Sequence, residues 1–192
     1  MDLILASTST YRKTLLERLQ LPFRCLAPDA DETPLPNEPA AQLAARLALA
    51  KARSVARMHP DSLVIGSDQV AQLDGNIMGK PGDLQRARQQ LRASSGRSVQ
   101  FITGLALCCA GRGLETLHTE YFTVQFRVLS AAAIDTYLER EQPLDCAGSF
   151  KCEGLGIALF ERLRGDDPTS LEGLPLIALT TLLKQAGYPV LA

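Results

Sequence analysis

Histidine is scarce in this 192-residue sequence, with only His59 and His118, and its five cysteines (Cys25, Cys108, Cys109, Cys146, Cys152) form no C-x-x-C pair. Zinc sites draw on clustered His and Cys, so the scarcity argues against one. An odd number of unpatterned cysteines fits reduced, buried thiols better than a disulfide framework. Charge of neither sign dominates. The net charge of −1 recommends no nucleic-acid polymer as partner, although it leaves room for a local cationic pocket. Long hydrophobic runs are missing as well. No segment approaches the ~20 apolar residues that cross a bilayer, and the opening run Leu3-Ile4-Leu5-Ala6 is too short, and too poor in preceding basic residues, for a signal peptide. The expectation is a soluble, cytoplasmic protein with no membrane partner. Neither a G-x-x-x-x-G-K-[ST] phosphate loop nor a G-x-S-x-G elbow occurs, and Gly154-x-Gly156 is only a fragment of a dinucleotide fingerprint.

Apolar residues make up 46% and charged residues 21%, the balance of an ordinary globular protein, and the length suits a single domain over 1–192. The chain is organised around residues 62–81. Leu63, Val64 and Ile65 predict a strand buried on both faces. The run is expected to stop at Gly66-Ser67, leaving Asp68 at an exposed strand end, where open α/β sheets place their ligands. Asp74-Gly75 predicts a hairpin, which would return Lys80 towards Asp68. A surface ion pair is the plain alternative for these two.

Leu3 to Ala6 reads as a first buried strand, followed by Ser7-Thr8-Ser9-Thr10 and a helix with Leu15, Leu16 and Leu19 on one face. A strand, a hydroxyl-rich loop and a helix start make an anion site, which would also explain Arg12 and Lys13 in a first turn that otherwise favours acids. Simple capping by Ser9 is the alternative. Residues 28–39 form a loop with Pro28, Pro34, Pro36 and Pro39 and the acids Asp29, Asp31 and Glu32. Such carboxylates are usually solvated, but near phosphates they also hold magnesium. A helix runs from Pro39 to Met58. Its apolar column Leu43, Leu47, Val55 has Lys51 as the missing member, read as a cation kept for a ligand anion rather than one that snorkels.

Asp83 caps a third helix and Ser130 a fourth, and residues 98–110 and 114–128 read as long strands, with Phe122, Val124, Phe126 and Val128 on one face. A glycine-punctuated loop carries Lys151 and Glu153, a strand is expected over Gly156 to Leu163, and a last helix runs from Pro175 to Gly187. The class is α/β with a mixed or largely antiparallel sheet.

Several of these stretches resemble the Maf family of nucleotide pyrophosphatases, also described as septum-formation inhibitors. Ser7, Ser9 and Arg12 match its Ser-x-Ser-x-x-Arg motif, and Arg46 to Ala52 matches the helix with the family lysine at Lys51. Gly66-Ser67-Asp68, Gly79-Lys80-Pro81, Ser95-Gly96, Thr103-Gly104, Ala147-Gly148-Ser149 and Gly173-Leu174-Pro175 follow in order. Each motif is weak alone; together they cover essentially the whole chain. The resemblance implies an elongated, twisted mixed sheet in two lobes with a central cleft, like inosine triphosphatases, and a family that is commonly homodimeric. It implies hydrolysis of a nucleoside triphosphate to monophosphate and pyrophosphate with a divalent metal (Mg2+ or Mn2+). Asp68 falls on the catalytic aspartate and Glu32 on its assisting carboxylate, as base, metal ligands or both. Ser7, Ser9, Arg12, Lys51 and Lys80 fall on phosphate-binding positions.

The branch that resembles thymidine and uridine triphosphate pyrophosphatases carries Ser-Pro-Arg-Arg and Asp-Thr, where this chain has Ser9-Thr10-Tyr11-Arg12 and Asp68-Gln69. Tyr11, Gln69 and Glu153 look instead like the branch that hydrolyses 7-methyl-GTP, whose base pocket they mark, although tryptophan is commoner at the Tyr11 position. N7 methylation makes the guanine ring cationic, which suits an aromatic face. A glutamate can accept from N1–H and the N2 amine, whereas thymine offers acceptors that it repels. The alternatives are a pyrophosphatase for dTTP and UTP and, in another class, a non-catalytic nucleotide-binding regulator of cell division.

Overall fold

A computed structural model of the protein describes residues 1–191. Among them, the helices are α1 (Thr10–Glu17), α2 (Ala40–Ala56), α3 (Leu84–Ser94), α4 (Ala131–Glu141) and α5 (Leu176–Gln185). The strands are β1 (Leu3–Ala6), β2 (Arg24–Leu26), β3 (Leu63–Leu73), β4 (Asn76–Met78), β5 (Ser98–Cys109), β6 (Leu114–Phe126) and β7 (Phe160–Arg164). The sheet order is β2-β1-β3-β5-β6-β7, with β4 beside β3. β1 is parallel to both β2 and β3, whereas β3–β4 and β6–β7 are antiparallel. The sheet is mixed, as expected. No helix among the described residues is long and apolar enough to cross a membrane.

The chain divides into two compact units. The first comprises Met1–Gln69, Thr103–Glu120 and the described residues from Asp167 onward. β1 and the start of β3 are apolar on both faces, and helices cover both. Leu3, Leu5, Leu63 and Ile65 pack on Leu15 and Leu16 of α1 and Leu179 and Leu183 of α5. Ile4, Ala6 and Val64 point the other way, onto Ala48, Ala52 and Val55 of α2. Alternating side chains along β1 and β3 thus feed two cores at once.

The second unit comprises Val70–Ile102 and Tyr121–Asp166. Asp74-Gly75 does form the hairpin turn, with Ala71 opposite Met78, and Lys80 lies exposed two residues beyond β4. Phe101, Phe126, Phe150 and Phe160 meet edge to face, with centroids 4.7–5.7 Å apart, the geometry that the ring quadrupole prefers. Asp83 caps α3 by accepting from Arg86 N at 2.8 Å, and Ser130 caps α4 by accepting from Ala133 N at 3.1 Å. An ion pair of 2.6 Å between Arg88 and Asp135 ties these two helices together.

Three local expectations are corrected. Gly66 and Ser67 do not end β3, which runs on through Asp68 to Leu73. Gly156 lies in a 3-10 turn over Leu155–Leu159, and only Phe160 onward pairs with β6. β6 ends at Phe126, so Val128 is 89% exposed instead of continuing the buried face.

Candidate active site

Two glycines set the dimensions of the site. A Cβ on Gly66 would lie 2.1 Å from Ala48 O, and one on Gly104 would lie 2.2 Å from Ala44 O. Neither could be tolerated, so β3 and β5 present bare backbone and α2 lies directly on it. The α2 residues that meet them, Ala44, Ala48 and Ala52, are themselves small. This close approach carries Lys51, one residue before Ala52, to Asp68, two residues after Gly66.

The contact is an ion cluster. Lys51 Nζ lies 2.6 Å from Asp68 Oδ1 and 2.8 Å from Glu32 Oε1. The side chains of Lys51 and Asp68 are 7% and 12% exposed, whereas Glu32 is 61% exposed and closes the cluster from the solvent side. The ion pair also explains why β3 continues: a carboxylate inside a buried strand is tolerable once a cation answers it. Lys51 does stand in the buried α2 column between Leu47 and Val55, and its partners are carboxylates.

The loop bearing Glu32 is clamped to α2 from its other end. Arg46 donates from Nε and Nη2 to the two oxygens of Glu38 at 2.6 and 2.7 Å, and from Nη2 to Thr33 O at 3.1 Å. These bonds hold the Glu38 carboxyl down at about 2.

The loop before α1 folds as a capped helix start. Ser9 caps α1 by accepting from Arg12 N at 3.4 Å, and buried Ser7 accepts from Ser9 N through Oγ at 3.1 Å. Tyr11 is half-buried in the first turn. Arg12 Nε donates to Gly173 O at 2.8 Å. Burial pushes the Arg12 guanidinium down from its ordinary value, while the charges of Asp68 and Glu32 pull it back up, so all three belong to one electrostatic neighbourhood. Gln69 uses its amide nitrogen on Ser170 O at 2.7 Å, with Leu171 O and Thr103 Oγ1 each at 3.2 Å. Its carbonyl oxygen is thereby the end left for other partners.

Of the residues singled out in the sequence, Glu32, Lys51 and Asp68 are brought together, with Arg12, Ser7, Ser9, Tyr11 and Gln69 in the same unit. Lys80 and Glu153 belong to the second unit, where both are exposed. Sequence reasoning missed the turn over 167–173, whose carbonyls receive Arg12 and Gln69. Asp167 followed by Pro168 and Thr169 is a legible turn start, but its tertiary partners are not.

No group of three or more His, Cys, Asp and Glu that could hold a metal occurs among the described residues. Asp68 and Glu32 nevertheless converge on one cation, the Lys51 ammonium. Two carboxylates are a fitting donor set for Mg2+ or Mn2+, which take one or two of them and complete their shells with water and substrate phosphate.

Comparison with known proteins bears on the fold and the family. A solved HAM1 protein from Coxiella burnetii shares the fold, with a TM-score of 0.54 at 15% identity, over 96% of this chain and 99% of that one. A relative from Nitrosococcus oceani, named 7-methyl-GTP pyrophosphatase, is 60% identical over 189 residues, covering 98% of this chain and 95% of the relative. The model of the Maf-like protein family matches residues 2–186. From its serine-rich first loop to the turn before its last helix, this chain belongs to the Maf family.

Proposed function

We propose that the protein hydrolyses 7-methyl-GTP to 7-methyl-GMP and pyrophosphate, limiting the incorporation of a modified nucleotide. The observation that carries the reading is the cluster of buried Lys51 and Asp68 with solvent-facing Glu32 in a Maf-family chain. A cation held between two carboxylates is ready for exchange when phosphate oxygens and a metal arrive.

In this mechanism a water attacks the α-phosphorus, a P–O bond forms to it, and the bond to the pyrophosphate oxygen breaks. Asp68 orients the water and takes its proton. A divalent cation held by Asp68 and Glu32 would supply charge neutralisation at the phosphates. Lys51 turns from the carboxylates to the leaving pyrophosphate, and Arg12, Lys80, Ser7 and Ser9 hold its oxygens. Tyr11, Gln69 and Glu153 receive the base. Gln69 offers an acceptor because its amide nitrogen is already committed, which suits the N–H edge of guanine. The protein acts as one Maf-like domain over 1–192, as a cytoplasmic homodimer, with neither a nucleic-acid polymer nor a membrane as partner.

Pyrophosphate release from 7-methyl-GTP, GTP, dTTP and UTP with Mg2+ or Mn2+ tests the reading. The expected result is the highest kcat/KM for 7-methyl-GTP. An equal or higher value for dTTP or UTP would overturn the base assignment. Binding of triphosphates without release of pyrophosphate under any of these conditions would favour the regulator instead.

A further inference from the structure

Asp167 is 1% exposed and its carboxylate is fully engaged. Oδ1 accepts from Thr169 N at 3.0 Å and Thr169 Oγ1 at 2.6 Å, and Oδ2 accepts from Ile177 N, in the first turn of α5, at 2.6 Å. Its backbone carbonyl accepts from Ser170 Oγ at 2.6 Å. A buried carboxylate is costly unless it is hydrogen-bonded, and here its three bonds fix the start of one turn, 168–173, to the first turn of α5.

That turn aims its own carbonyls at the site. Gly173 O accepts from Arg12 Nε at 2.8 Å and from Ser67 Oγ at 2.9 Å. Ser170 O accepts from Gln69 Nε2 at 2.7 Å and from Thr103 Oγ1 at 3.0 Å. The two residues flanking Asp68 in the chain, and the guanidinium beside it in charge, all take their orientation from these two carbonyls. None of the three is held by Asp167 directly.

We infer that Asp167 is a positioning residue: through the 168–173 turn it fixes the Arg12 guanidinium and the Gln69 amide, and so sets the geometry of phosphate binding. The inference rests on the phosphate role given to Arg12 above, but not on turnover. With Nε tied to Gly173 O, the terminal nitrogens of Arg12 are the donors left for a polyanion, in one fixed fork. Loosening the turn frees that fork to wander and weakens binding without removing a single group that touches the ligand.

Asp167→Asn is the test. Whichever way the amide is turned, its NH2 faces a donor, either Thr169 N–H or Ile177 N–H. Binding of pyrophosphate, read by calorimetry without turnover, is expected to weaken about tenfold, the low end of the range for residues that orient metal ligands. In an Arg12→Lys background, which has no Nε–H to hold, the same change should cost less than about twofold. A merely structural role would cost the same factor in both backgrounds, and that result overturns the inference. So does wild-type affinity in Asp167→Asn. Thr169→Val, which removes the hydroxyl that accepts from Leu176 N at 2.9 Å, provides the same cycle should the first variant fold poorly. Absence of pyrophosphate release from triphosphates in a wild-type protein that binds pyrophosphate would count against the proposed reaction and leave the positioning role standing.

Discussion

The Lys51 ammonium lies 2.6 Å from Asp68 Oδ1, and neither side chain is more than 12% exposed. Each charge is tolerated because of the other, and removing one strands its partner in a poorly solvated place. The pair therefore couples stability to chemistry.

Lys51→Met is expected to lower stability by about 3–5 kcal/mol at neutral pH, because the Asp68 carboxylate loses its counter-charge. Urea unfolding measures this. Adding Mg2+ should raise the melting temperature of the variant more than that of the wild type, since a divalent cation can replace the ammonium between Asp68 and Glu32. Equal metal responses would mean that the carboxylates do not take up a cation.

Asp68→Asn keeps the shape but removes the charge and the proton acceptor. We expect kcat for pyrophosphate release to fall by about 10²–10⁴-fold, the range for loss of a positioned general base. The change also leaves the ammonium with Glu32 alone, so some loss of stability accompanies it. A folded variant with near-wild-type kcat would remove Asp68 from the reaction.

Glu153→Gln tests the base pocket. A hydrogen bond to a charged acceptor exceeds a neutral one by about 1 kcal/mol, so the preference for 7-methyl-GTP over dTTP should shrink about fivefold. The comparison needs kcat/KM for both substrates in both proteins. An unchanged ratio would show that Glu153 does not read the base.

Glu38 provides a pH signature. Arg46 lowers its carboxyl from the ordinary 4.5 to about 2, so the bond stabilises the fold above pH 4.5 and that contribution is lost as the pH falls towards 2. The melting temperature of Glu38→Gln should therefore lie below that of the wild type near pH 6, with the gap closing between about pH 4.5 and 2. A gap that stays constant over that window would assign the effect to packing instead.

Much of this was legible in the chain. The apolar runs of β1 and β3, the Asp74-Gly75 turn and the caps Ser9, Asp83 and Ser130 are local signals, and local backbone chemistry satisfies them. Asp68 was expected at an exposed strand end and is buried; the helical period singled out Lys51, but no spacing pairs it with a carboxylate in β3. β2 escaped notice because it has only the residues Arg24, Cys25 and Leu26, none of them fully buried. The expected strand at Gly156 failed because Gly154 N and Gly156 N both turn back to Lys151 O, at 3.3 and 3.0 Å. The 167–173 turn is closed by local bonds, but the tertiary hydrogen bonds that its carbonyls receive are announced by no spacing.

Gly66 and Gly104 act as a ruler with no markings. The gap from Lys51 to Asp68 is gauged by the contact of main chain on main chain, where no rotamer can shift to absorb an error. Adding one carbon to either glycine would push α2 outward and draw the ammonium away from the carboxylate with every reacting group still present. In a library of variants these two positions should therefore behave like members of the active site, although neither has a side chain with which to take part.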